Sequence, residues 1–261
     1  MDRLRQLTTE NKIYHTLRIA SAMCLIGHGA FGIITKAVWC NYLAVIGIDQ
    51  QQSYQLMPFI GTVDIALGIS LLIFPMRAVA LWLIIWGFLT AAMRPLAGEP
   101  FAELLERAGN FGAPLGLLLL YPRAKGFKNW FVRMKPPGQV SAERMERLIL
   151  CLKMVASLLL IGHGLLNLLG KKGLMAQYNS LGFDNSILVG YVAGVIEVIG
   201  GTLFLITRPL RIIILFFIIW KMATELFYPH WGVWEWIERG GSYGVLLALW
   251  FAISSKRSIK I

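Results

Sequence analysis

The sequence predicts an all-α membrane protein of about eight transmembrane helices, arranged as two four-helix repeats in the same orientation. Three observations lead there. Hydrophobic residues make up 57% of the chain and charged residues 15%, against about 25% charged in soluble domains. Apolar runs long enough to cross about 30 Å of hydrocarbon recur throughout. The third is an internal match at an offset of about 132 to 135 residues, the kind of self-similarity that marks a duplicated unit.

The spans are expected near 17–38, 56–74, 78–96, 108–121, 147–169, 187–206, 209–228 and 240–253. Residues 1–15 are polar and lack the apolar stretch and cleavage site of a secretory leader, so the first span reads as uncleaved. It carries LIGHG at 25–29, which returns as LIGHG at 160–164 in the fifth. The second span carries Asp64 in GTVDIALG, matching Glu197 in GVIEVIGG of the sixth. Pro75-Met76-Arg77 and Pro209-Leu210-Arg211 are matching breaks. Trp86 and Thr90 of the third span match Trp220 and Thr224 of the seventh, and ERAGNFG at 106–112 matches ERGGSYG at 238–244. The units are therefore 1–121 and 147–261. Between them a linker, 122–146, mixes Arg123, Lys125, Lys128, Arg133 and Lys135 with Phe127, Trp130 and Phe131, which suits a segment lying at the headgroups.

Four helices per unit give both copies one orientation, related by an axis along the membrane normal. With the N-terminus inside, the segments 1–18, 75–77, 122–153, 207–211 and 254–261 hold 18 of the 25 Lys and Arg residues. That bias places both termini in the cytoplasm of a bacterial-type inner membrane. The net charge of +11 is thus topological, with the lipid bilayer as its partner and no nucleic acid implied. Cys24, Cys40 and Cys151 form no CxxC pair and read as buried thiols. Gly190/Gly194, Gly112/Gly116 and Gly240/Gly244 have the four-residue spacing of close helix packing.

Ionisable residues in hydrocarbon are the candidates for chemistry, because an unpaired charge there costs about 3 kcal/mol or more. Asp64 and Glu197 are the candidate proton-handling carboxylates. His28 and His163, each flanked by glycines, are candidate ligand-binding residues near the midplane, with room beside each ring for a planar ligand. A structural reading pairs His28 with Asp64 and His163 with Glu197. Arg94, Lys221 and Glu225 are further binding candidates; Lys221 and Glu225 form either an i,i+4 salt bridge or part of one cavity with Glu197. Glu99, Glu103, Glu106, Arg107, Glu235, Glu238 and Arg239 read as a solvated outer rim with Tyr228 and His230. Glu103–Arg107 and Glu235–Arg239 are expected as i,i+4 pairs, and Trp231, Trp234 and Trp236 as an aromatic belt. Since the second copy has Lys221, Glu225 and Asn167 where the first has Gly87, Ala91 and Gly32, the second is the one expected to work if only one copy is active.

The LIGHG start, the acidic second span, the Pro-x-Arg turn and the ERxGNFG-like fourth span resemble the DoxX/DoxD-like membrane proteins. The resemblance covers nearly the whole chain and implies two fused four-helix units, an association with quinone-linked redox chemistry and a membrane redox partner subunit. Within a redox reading, a quinone ranks above a haem held by His28 and His163 or a metal held by both histidines, Asp64 and Glu197. A small-solute or proton-coupled transporter and a non-catalytic scaffold are the alternatives. Two His–carboxylate pairs facing one pocket would favour redox chemistry or transport, and two sealed pairs a scaffold.

Overall fold

The computed structural model describes residues 7–207, 209–227 and 232–255. Tyr228, His230 and Trp231 lie outside the described residues. Within them the chain is all-helical, with no strand. The first half contains α1 (Thr9–Ile33), α2 (Trp39–Ala44), α3 (Gln50–Ile73), α4 (Arg77–Leu96), α5 (Ala102–Glu106) and α6 (Ala108–Leu119). The second contains α7 (Ala142–Leu168), α8 (Lys172–Ser180), α9 (Ser186–Ile206), α10 (Arg211–Leu226), α11 (Val233–Glu238) and α12 (Gly240–Ser255).

Local chemistry sets the boundaries. Thr8 caps α1 by accepting from Asn11 N at 3.3 Å. Asp49 and Gln52 form a capping box at the start of α3, satisfying amides that a helix start leaves unpaired. Pro75 and Pro209 fall at the expected breaks, before α4 and α10. The span expected at 17–38 ends instead at Ile33, because Thr35 adopts the left-handed region (φ 51°). A β-branched residue there stops a helix, and the reversal brings Trp39 back over His28.

Five helices, α1, α3, α4, α7 and α9, are long and apolar enough to cross a membrane. α6 is a shorter apolar helix of 12 residues, about 18 Å at the helical rise. The main core lies among α1, α6, α7 and α12, where Leu17, Leu117, Leu148, Leu152, Leu159 and Leu249 are buried together. α3, α4, α9 and α10 flank that core, to which the last three lend Ala80, Phe204, Ile214 and Phe217, and they present Phe59, Phe88, Ile187, Ile206 and Ile219 outward. Exposed apolar side chains on so many helices fit a lipid surface.

Glycine lets the helices cross closely. A Cβ at Gly61 would lie 2.5 Å from Gly29 O, and one at Gly194 would lie 2.7 Å from Gly164 O. The space at these glycines is therefore filled by neighbouring backbone, so they serve helix packing and are not what makes room for a ligand. Gly27 and Gly162 face Glu238 and Glu106, so α11 of the second half packs on α1 and α5 of the first half on α7. The halves interlock.

The linker folds as a strap at the end of the bundle where α3 meets α4. Met134 N donates to Pro75 O at 2.7 Å, and Tyr14 Oη to Met134 O at 2.9 Å. Phe127, at one end of a single 3₁₀ turn (Phe127–Trp130), and Phe131, just beyond it, are exposed.

Candidate binding site

Each intramembrane carboxylate is met by a histidine and a tryptophan. His28 Nδ1 lies 2.7 Å from Asp64 Oδ2, to which Trp86 Nε1 also donates at 3.2 Å. In the second half His163 Nδ1 lies 2.6 Å from Glu197 Oε2, while Trp220 Nε1 donates to Oε1 at 2.8 Å. Asp64 and Glu197 are 2% and 0% exposed, and burial of a carboxylate requires such partners. A carboxylate at Nδ1 fixes the proton there and leaves Nε2 as the outward-acting ring atom.

The two pairs differ in what lies beyond them. His28 lines a cavity of about 210 Å³. Trp39 covers one face of its ring, with centroids 4.4 Å apart. Apolar walls come from Leu43, Ile46, Ile60, Leu89 and Met93, and the polar end from Arg94, Arg107, Asn110 and Glu238. Ile46 and Leu89 are also exposed on the outer surface, so the mouth opens through an apolar rim. Arg94 Nη1 donates to Tyr42 Oη at 2.8 Å and pairs with Glu99 at 3.2 Å, and Tyr42 Oη donates to Glu99 Oε1 at 2.5 Å. Burial pushes the Tyr42 phenol pKa upward.

In the second half, matching positions line an apolar groove of about 440 Å³ that includes Tyr178, Ala193, Trp220, Thr224 and Phe227. His163 is not among its lining residues and is 3% exposed. Asn167 and Glu225 pack beside it. Asn167 donates to Glu197 Oε2 at 3.3 Å and accepts from Tyr178 Oη at 2.7 Å. Lys221 Nζ lies 2.6 Å from Glu225 Oε1, an ion pair whose angle falls short of a directed hydrogen bond. Lys221 and Glu225 are thus the i,i+4 pair, and the cavity that a histidine lines belongs to the first half.

The expected solvated rim is largely interior. Glu103 and Glu106 are 2% and 5% exposed. Arg107 pairs with Glu103 at 2.6 Å and Glu106 at 2.8 Å, and Lys171 with Glu103 at 2.7 Å. Arg239 reaches Glu106 at 3.4 Å and Glu225 at 2.7 Å. The expected Glu235–Arg239 pair is replaced, since Glu235 pairs with Lys36 at 3.2 Å. Burial alone would raise these acids, but Arg107 and its neighbouring cations hold Glu103 below the ordinary carboxylate range and Glu106 well below it. Glu238 is likewise held low against its burial, by Arg107, His28, Arg239 and Arg94.

Glu106, His163 and Glu225 place ligand-type atoms within 4.8 Å of one another. Their carboxylates are already met by Arg107, Arg239 and Lys221, a surrounding that repels a metal ion. Among the described residues, His28, His163, Asp64 and Glu197 do not gather as one ligand set. Haem ligation by both histidines needs the rings to converge, whereas the cavity at His28 excludes His163. No protein-family model, curated protein or solved structure matches the chain.

Trp39, Tyr42, Asn110 and Glu238 are the cavity residues that sequence reasoning did not select. Glu238 and Asn110 carried a signal, as members of the matched stretches ERGGSYG and ERAGNFG.

Proposed function

We propose that this multi-pass membrane protein binds a lipid-soluble, quinone-type headgroup in the cavity beside His28 and serves as a DoxX-like redox or accessory component. The observation that carries the reading is the ring of His28. Its Nδ1 is held by Asp64 while the ring borders an apolar-mouthed cavity beside Trp39. A planar headgroup of a few rings' bulk suits about 210 Å³ with aromatic walls. Asp64 fixes the imidazole tautomer, and Nε2 then exchanges a hydrogen bond or proton with the ligand.

The reading takes the halves as one duplicated unit in eight spans, with both termini cytoplasmic in a bacterial-type inner membrane. Matched sequence motifs, the repeated His–carboxylate–Trp bonding and the basic strap support it. The second half, with His163 sealed, serves as scaffold for the first. Extraction of the detergent-purified protein for quinones, alongside an oxidised-minus-reduced absorption spectrum, tests the reading. Co-purifying quinone near one per chain, lost in His28→Ala and retained in His163→Ala, is expected. A quinone-free protein that also fails to bind added quinone would overturn it.

A further inference from the structure

Glu238 and Glu106 occupy matching positions and sit alike on the helix of the other half. A Cβ at Gly27 would lie 2.3 Å from Glu238 N, and one at Gly162 would lie 2.2 Å from Glu106 N. Their carboxylates fare differently. Glu106 is paired with Arg107 and Arg239. Glu238, seated on Gly27 next to His28, lines the cavity and has no hydrogen-bond or ion-pair partner among the described residues.

The other charged and amide groups of the cavity are each engaged through one atom. Arg94 is held by Tyr42, Glu99 and Glu103, and Arg107 by Glu103 and Glu106. Asn110 Oδ1 accepts from Cys24 Sγ at 3.6 Å. His28 Nε2 has no partner among the described residues. Among the lining residues Glu238 is the one carboxylate, and it only accepts, as does the imidazole nitrogen when the ring is neutral.

We infer that Glu238 is the specificity residue of this cavity and selects a ligand bearing hydroxyl donors, the hydroquinone rather than the quinone. The inference rests on the proposed quinone-type reading. A hydroxyl satisfies Glu238 with a charge-assisted hydrogen bond. A carbonyl placed at Glu238 sets its lone pairs against the carboxylate and leaves that acceptor unmet.

The test uses the full-length detergent-purified protein and measures anaerobic binding of a decyl-substituted benzoquinone and of its hydroquinone. The wild type is expected to hold the hydroquinone about tenfold tighter, the scale of one charged hydrogen bond. Glu238→Gln, which keeps the side-chain size, should bring that ratio close to one, and Glu235→Gln should leave it unchanged. Equal affinities in the wild type, a measurement that needs no variant, would overturn the inference, as would a preference that survives in Glu238→Gln. If equal affinities are both lost in His28→Ala, the cavity reading stands without the role of Glu238. If neither compound binds saturably, the cavity reading itself falls.

Discussion

Gly27 and Glu238 are in backbone contact, at a distance no side chain at 27 can share: a Cβ there would lie 2.3 Å from Glu238 N and 2.5 Å from Glu238 Cα. Gly162 stands in the same relation to Glu106 N, at 2.2 Å. These contacts seat α11 on α1 and α5 on α7 and carry the charged residues into the interior. Because the obstacle is backbone, the strain of an added methyl cannot be relieved by a rotamer change. Gly27→Ala and Gly162→Ala should each cost about 1–3 kcal/mol or more. Thermal unfolding in detergent should show both melting well below wild type, whereas Gly138→Ala, open on all sides, should melt with it.

Much of this arrangement was legible in the sequence. The apolar runs and Pro75 and Pro209 placed the helices, since both signals are local. The His–carboxylate pairs followed from Asp64 and Glu197 being too costly to leave unpaired in hydrocarbon. The interlock was not legible. Glu103, Glu106 and Arg107 have the spacing of a solvated helix face, and only the tertiary fold supplies the Arg239 and Lys171 that make their burial tolerable. Glycine beside His28 and His163 likewise signals closeness without saying whether ligand or backbone comes close. Trp39 reaches His28 only because the chain reverses at Thr35, which no periodicity announces.

Removing different members of the sealed network should have unequal effects. Glu225 faces both Lys221 and Arg239, so Glu225→Gln leaves the buried Lys221 ammonium without its counter-charge and takes one carboxylate from Arg239. Lys221→Met leaves Glu225 paired with Arg239 and replaces a buried ammonium by an apolar chain of similar length. Breaking a buried pair from one side costs about 3–5 kcal/mol, while apolar replacement of charge can be neutral. Glu225→Gln should sharply lower yield and melting temperature, and Lys221→Met should be mild. Equal loss in both would contradict the assignment of Glu225 as the shared counter-ion.

Acid should loosen the interlock. Glu103, Glu106 and Glu238 titrate below the ordinary 4.5 in the folded chain, because nearby arginines outweigh their burial. When α5 and α11 leave the bundle these carboxylates return toward 4.5 and bind protons more readily. The stability they contribute is then fully present above about pH 4.5 and is lost as pH falls below it toward the folded values. Melting temperatures across pH 3–7 should be level at the upper end and fall below about pH 4.5. Glu103→Gln should flatten part of that fall, and an unchanged slope would exclude Glu103 as a contributor.

Lys221 and Glu225 stand where the first half has Gly87 and Ala91; Glu225 lies beside the buried His163, and both adjoin in sequence the groove residues Trp220 and Thr224. The duplicated-unit reading makes them a built-in plug in a second copy of one site. Lys221→Gly combined with Glu225→Ala removes both at once, taking out an ion pair as a unit instead of orphaning half of it. Arg239 retains Glu106 as a partner. The double variant should fold, expose His163 to the groove, and raise quinone-type ligand binding from about one toward two per chain, an outcome read by equilibrium dialysis. Adding His163→Ala should return the count to one. A count that stays at one in a stable double variant would mean that the halves differ in more than the plug, with the bonds of Asn167 to Tyr178 and Glu197 as the remaining closure.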